Sequence, residues 1–275
     1  MRWDAKFYQD KHNYSTSYGK SMFELIPENP AQSILDIGCG TGDLTAELKK
    51  YAAQVVGIDS SPEMIALAKA SHPEAHFMFA DATKLTFKEE FDVVFSNAVF
   101  HWIKDLDKQN ALLFGIANAL KPGGKLICEF GGENNITRIM KAYKTAYEKV
   151  TGSSPAPRWF YPSEDQYRSL LLQNGLSPDM IILFDRPTPL IDGERGMENW
   201  IRQFYSDELA QLPEDAQQKI TDEISSLLKP ELWDDANSQW IADYRRIRVV
   251  ATRSPLCQPG HHQSENQGNN QKADL

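Results

Sequence analysis

The run Ser33-Ile34-Leu35-Asp36-Ile37 leads directly into Gly38-Cys39-Gly40-Thr41-Gly42, and this junction narrows the possible folds more than any other stretch of the chain. A short apolar run bounded by a turn signal reads as a strand buried on both faces. Leu44, Leu48 and Tyr51 then recur at i, i+4 and i+7, the spacing of one face of a helix that starts near Gly42. Glycine enters left-handed conformations freely and lets a backbone come close to a ligand. A helix start behind such a turn offers unpaired N–H groups and a positive dipole end, which suit a carboxylate or phosphate. The spacing is G-x-G-x-G, not the G-x-G-x-x-G that cradles a dinucleotide pyrophosphate, and this favours another adenosyl ligand.

The alternation of strand and helix continues. Val55-Val56-Gly57-Ile58 reads as a second buried strand ended by Asp59. Ser60 or Ser61 can cap the next helix, Pro62 suits its first turn, and Met64, Ile65 and Ala68 form its apolar face. Further strands are expected near 76–80 and at 91–96, then a helix over 106–120 broken by Lys121-Pro122-Gly123-Gly124, then a strand at 125–130. Short apolar strands separated by amphipathic helices imply a parallel sheet covered on both faces, a doubly wound α/β core. An acid at the end of the second strand, Asp59, is placed to accept hydrogen bonds from ribose hydroxyls, a feature that dinucleotide folds share. Asp81-Ala82 follows the third strand and could face an adenine in the same crevice.

Beyond Gly132 the pattern loosens. A helix is expected near 135–150, a Gly-, Ser- and Pro-rich loop from Thr151 to Arg158, a helix from Ser163 to Gly175, a strand at 180–184, a polar helical region over 193–244, and a last alternating or edge strand at 247–252. Residues 133–162 and 193–240 then read as helical caps over the open end of the sheet. Residues 1–132 form the cofactor core with its N-terminal helical segment, and 163–192 with 241–253 complete the core. Residues 254–275 hold almost no apolar side chain and read as a disordered tail; His261 and His262 belong to it rather than to a metal site. Cys39, Cys128 and Cys257 are odd in number and lack a C-x-x-C, so no disulfide framework or zinc site is expected, and a cytoplasmic location fits. A net charge of −9 argues against an electrostatic grip on nucleic acid. No run of about 18 apolar residues suggests a membrane span. A small molecule is the expected partner, and whether the chain is a monomer or a dimer is open.

In combination, residues 34–42, Asp59, Asp81-Ala82, Phe91 to Asn97 and Leu120 to Gly124 resemble the successive motifs of class I S-adenosylmethionine-dependent methyltransferases. The likeness covers roughly residues 30 to 130, and Ser96-Asn97-Ala98-Val99-Phe100-His101-Trp102 resembles the trans-aconitate methyltransferase group. It implies a Rossmann-like sheet of seven strands, six parallel and an antiparallel last one inserted beside 180–184, with S-adenosylmethionine as cofactor. By position, Asp36, Gly38 and Gly40 would line the methionine end, Asp59 would hold the ribose, Asp81 with Ala82 would face the adenine, and Asn97 the sulfonium, with Ser60 a further cofactor-binding residue. Relatives that methylate nitrogen carry an NPPY-like motif at Asn97; its absence here puts amino-group methylation of DNA or protein in doubt.

Methyl transfer asks mainly for alignment, because the sulfonium already activates the carbon. A carboxylate acceptor arrives ionised, whereas a hydroxyl needs a base, and His101 is the nearest candidate in sequence. Trp102 could wall off the sulfonium, and Arg158, Trp159 and Tyr161 offer a cation and aromatic surface to an acidic or flat acceptor. Trp3, Phe7, Tyr8, Tyr14 and Tyr18 could close over the cofactor or form an ordinary docked helix. Arg202, Arg245 and Arg246 are further cations, most of them expected in water. The expected activity is O-methylation of a small carboxylate or hydroxyl. The alternatives are a non-catalytic adenosyl-ligand-binding protein and a nicotinamide-dependent oxidoreductase.

Overall fold

All five residues of β1 (Ser33–Ile37) are buried, as a strand covered on both faces must be, and the chain then winds strand by strand around it. The computed structural model describes residues 18–254; Trp3, Phe7, Tyr8, Tyr14 and the tail from residue 255 onward lie outside the described residues. After β1 come α1 (Asp43–Leu48), β2 (Gln54–Asp59), α2 (Pro62–Ser71), β3 (His76–Phe79), β4 (Phe91–Asn97), α3 (Leu106–Ala119) and β5 (Leu120–Gly131). They are followed by α4 (Thr137–Thr151), α5 (Glu164–Gln173), β6 (Leu176–Pro189), α6 (Gly196–Phe204), α7 (Ser206–Leu209), α8 (Glu214–Leu232), β7 (Trp233–Asp234) and β8 (Gln239–Arg253). The strand order is β3-β2-β1-β4-β5-β8-β6, with the short β7 paired to the start of β8. Strands β1 to β5 pair in parallel, and β8 lies antiparallel to both β5 and β6, so the expected seven-stranded arrangement with an antiparallel last strand is present.

Local chemistry sets the element ends. Ser61, not Ser60, caps α2 by accepting a hydrogen bond from the Met64 N–H, with Pro62 in the first turn. Asp105 caps α3, and Ser163 with Gln166 forms a capping box on α5. At Lys121 to Gly124 the pairing of β4 with β5 jumps from Phe91–Leu120 to Val93–Lys125, so the turn is a bulge inside β5 rather than a loop before it.

Two expectations on element length fail. Helix α1 spans only six residues. Leu48 ends it fully buried, whereas Tyr51 lies beyond it, 39% exposed, with its ring 5.2 Å from that of Phe23. The last strand begins at Gln239, not Ile247, and is an interior strand rather than an edge. Its buried positions Trp240, Ala242, Tyr244 and Arg246 alternate with period two, which no helix would produce. The true edge is β6, and its Pro187 and Pro189 fit there because an edge strand can leave N–H positions unused.

Two cores result. One lies between the sheet and helices α3 and α5, around Val94, Phe100, Leu113, Ile116, Phe130 and Tyr167. The other joins α4, α6 and α8 to the start of β8 through Tyr143, Trp200, Ile201, Ile224, Trp240 and Tyr244. Trp102, Trp159 and Tyr161 pack against this second core from the sheet side.

Candidate active site

A cavity of about 300 Å³ opens at the carboxyl ends of β1, β2 and β4, the crevice where open α/β sheets bind ligands. Its floor is the glycine turn. Gly38, Gly40 and Gly42 have φ of 73°, 54° and 88°, so all three sit in the left-handed region that side chains disfavour. A Cβ on Gly38 would lie 2.2 Å from Val99 Cγ2, whereas one on Gly40 would meet nothing within 4 Å. Gly38 is therefore closed in by protein, and Gly40 leaves an open cradle at the cavity it lines.

Asp59 bridges two parts of that cradle. It accepts a hydrogen bond from the Gly40 N–H at 3.0 Å and another from the Ser61 N–H at 2.8 Å. Burial pushes its carboxyl above the ordinary range, against the lowering effect of the Ser61, Gly40 and Ser60 N–H groups. Ser60, Asp81 and Ala82 line the same wall, and Asn97 lines the opposite end. Asp81 also caps the turn at Ala82–Lys84. Burial would raise its carboxyl, but hydrogen bonds from the Thr83 N–H and Oγ1, with Lys84 beside it, leave it below the usual range.

Asp36 departs from its expected place. It does not line the cavity; it is 2% exposed beneath the glycine turn and accepts a 2.6 Å hydrogen bond from Thr45 Oγ1. Its position inside β1 turns the side chain into the core, where it supports the turn from below. Burial raises its pKa from 3.8 to about 7, the Thr45 hydrogen bond opposes the rise, and the nearby Asp59 adds to it. An acid that is harder to ionise in the folded chain binds its proton more tightly there than in the unfolded chain. Folding is then favoured below about pH 4, and the contribution is lost as pH rises towards 7. At about 1.4 kcal/mol per pKa unit, the loss by pH 8 is on the order of 2–4 kcal/mol. Asp36→Asn keeps an acceptor for Thr45 and should be more stable than the parent at pH 8, with little difference near pH 4. Urea melts of both proteins at the two pH values check this, and an unchanged difference would refute it.

The residues at the cavity fit an adenosyl-methionine ligand. The open side of Gly40 admits a close backbone approach, the Asp59 carboxylate suits a ribose diol, and Ala82 with Met64 gives an apolar wall for a base. A family described as a methyltransferase domain matches residues 35–128. The chain is 30% identical over 261 residues to an uncharacterised methyltransferase of Schizosaccharomyces pombe, covering 90% of this chain and 97% of that protein. It is 25% identical over 262 residues to a trans-aconitate 2-methyltransferase of Enterobacter, covering 92% and 99%. The fold matches a candidate methyltransferase of Bacillus halodurans with a TM-score of 0.63 at 14% identity, covering 87% of this chain and all of that one. The chain belongs to the class I S-adenosylmethionine-dependent methyltransferases. The nicotinamide alternative falls with this finding, and the cofactor is S-adenosylmethionine. When bound, it supplies an electrophilic methyl group on a positively charged sulfur.

The methyltransferase places its acceptor candidates unevenly. Trp102 lines the cofactor cavity and also faces the second core, stacking on Phe204 at 6.0 Å and meeting Trp159 at 5.8 Å. His101 does not line the cavity. It is 6% exposed, and its Nδ1 accepts a 3.3 Å hydrogen bond from the Gly131 N–H. Burial, helped by the charge of Arg246, keeps its pKa well below 6.5, so it is neutral and a weak base. The reading of His101 as general base is therefore corrected: His101 ties the turn after β4 to the end of β5.

Arg158, Trp159 and Tyr161 do not line the cavity they were expected to line; Trp159 meets it through the Trp102 ring, and Tyr161 through His101 and then Trp102. Arg158 donates to the Phe204 carbonyl at 2.8 Å, lies over the Tyr205 ring and sits 4.0 Å from Asp207. Its charge braces the helical layer. Tyr161 is half-buried against the Gly131 backbone, where a Cβ would come within 2.4 Å of its ring. A feature that no residue pattern revealed is Ala98, a cavity residue at φ 61° whose N–H donates to the Glu129 carbonyl at 2.7 Å. Such strain in a non-glycine residue is held by the surrounding structure and gathers at functional sites.

Among the described residues no group of three His, Cys, Asp or Glu could hold a metal ion, and no helix is long and apolar enough to cross a membrane. Cys39 and Cys128 are buried and free.

Proposed function

We propose that this methyltransferase transfers its methyl group to an oxygen of a small-molecule carboxylate, giving a methyl ester. The observation that carries the reading is the character of the cavity beyond Asn97. Its lining there is Ala98, Val99, Trp102 and Ile103, and His101, next to Trp102, is turned away and held neutral. Among the described residues a wall of this kind can position an acceptor but offers it no base, so an acceptor already ionised at neutral pH is favoured over a phenol or alcohol. The Enterobacter relative, named for a carboxylic acid, supports the same class. The helices α4, α6 and α8 close the acceptor's side of the site, and Trp102 is the shared wall between cofactor and acceptor.

Incubation with methyl-labelled S-adenosylmethionine and a panel of carboxylic acids, phenols and amines tests the reading. The expected product is a base-labile ester from one or more acids, with no transfer to amines. Transfer only to phenols or amines would overturn it.

A further inference from the structure

Among the described residues the second layer contains a charge with no carboxylate counterpart. Arg246 on β8 is 8% exposed, and its guanidinium lies 4.4 Å from the centroid of the Tyr244 ring. Its charge reaches two further neighbours, His101 and Tyr161, both neutral. Among the described residues no carboxylate pairs with it. The other enclosed arginines differ. Arg186 and Arg248 share the buried carboxylate of Glu129, Arg253 binds Glu89 and the Leu120 carbonyl, and Arg158 lies beside Asp207. A guanidinium does not shed its proton on burial, so an unpaired one is an unmet demand for an anion.

The position of Arg246 connects it to the acceptor side. It pairs in register with Gly131, whose N–H donates to His101 Nδ1. The His101 ring lies 5.1 Å from that of Trp102, the wall of the cofactor cavity. Asn97 at the cavity is on β4, two strands away, a separation of about 10 Å at the usual strand spacing.

We propose that Arg246 is the specificity-determining anchor of the acceptor, holding a carboxylate other than the one that is methylated. The inference rests on the carboxylate reading above. A carboxylate clamped by a guanidinium has its charge stabilised where it is, which makes it a poor nucleophile; the reacting oxygen must therefore belong to a second group nearer the sulfonium. The forked donors of arginine suit a bidentate carboxylate, and the Tyr161 hydroxyl beside them can add a third hydrogen bond. Burial keeps His101 neutral, and the same charge adds to that effect. Acceptors with two or more carboxylates are thereby separated from simple fatty or aromatic monoacids.

The full chain and its Arg246→Met and Arg246→Lys variants can be compared with trans-aconitate, succinate and hexanoate as acceptors. Binding of S-adenosylhomocysteine and thermal melting are measured alongside. For Arg246→Met, KM for the di- and triacid should rise by about 30-fold or more, the effect of removing one partner of an enclosed charge pair. The kcat should stay within about threefold, as for a lost binding contact. Hexanoate kinetics, S-adenosylhomocysteine affinity and melting temperature should not fall, and Arg246→Lys should recover part of the loss. Equal losses on monoacid and diacid, or unchanged KM, would overturn the anchor while leaving ester formation intact. A lowered melting temperature with a general loss of activity would show a packing role and overturn it too. Failure of the parent protein to bind or methylate any of these acids while binding S-adenosylhomocysteine would overturn both the anchor and the carboxylate reading.

Discussion

Asp59→Ala is expected to weaken S-adenosylhomocysteine binding by about 100-fold or more while leaving the fold intact. Each hydrogen bond to a charged acceptor contributes about 1.5–3 kcal/mol, and a ribose offers two hydroxyls to this carboxylate. Losing both gives at least about 3 kcal/mol, or two orders of magnitude in Kd. A second effect adds to the first. Asp59 also holds the Gly40 and Ser61 N–H groups, so its removal loosens the cradle on one side and the α2 cap on the other. The fold should survive because burial already disfavours the ionised carboxyl, so removing it relieves a desolvation cost. Asp59→Asn, which keeps one acceptor oxygen, should lose about tenfold, the worth of a single weaker bond. Calorimetric titration with circular dichroism on the same samples decides the point. Parent-like affinity in Asp59→Ala would remove the assignment of this residue to the ribose.

How much of this site can be read from the chain alone depends on how local its causes are. Strands β1, β2, β4 and β5 are legible because a strand buried on both faces must be apolar throughout, and the glycine turn and Asp59 follow from positions at strand ends. Asp36 misleads for the same reason. It sits in a motif shared with ligand-binding residues, yet alternation along β1 turns it inward onto Thr45, nine residues away. His101 misleads because its environment comes from Gly131 and Arg246, on strands that are remote in sequence. The start of β8 is hidden by Asp243 and Arg245, whose polarity resembles a solvated helix until the alternating Trp240, Ala242 and Tyr244 are read as one face. The pairing state of Arg246 is the extreme case. Whether a buried arginine lacks a carboxylate depends on every residue around it, and no run of neighbours along the chain can show it.

Gly38→Ala should cost stability, whereas Gly40→Ala should cost ligand affinity, although the two glycines belong to one turn. At Gly38 the added Cβ meets Val99 Cγ2 at 2.2 Å and Cγ1 at 2.9 Å, with φ at 73°. Left-handed backbone costs a side chain about 1–2 kcal/mol. Overpacking a tight interior adds about 1–3 kcal/mol, so the sum is about 2–5 kcal/mol. Val99 cannot yield easily, because Ala98 before it is held at φ 61° and its N–H is committed to Glu129. At Gly40 the φ of 54° carries the backbone cost, but a Cβ there meets no protein atom within 4 Å. Its space is the cradle, so Gly40→Ala should lose only the backbone share, about 1–2 kcal/mol, while blocking close approach of the ligand. The double variant Gly38→Ala/Val99→Ala separates the two causes at Gly38. Space at residue 99 should return the overpacking share and leave the backbone share, a non-additive result expected of residues in contact. Chemical denaturation of the three variants measures these differences. Equal stability of Gly38→Ala and Gly40→Ala would contradict the geometry of the turn.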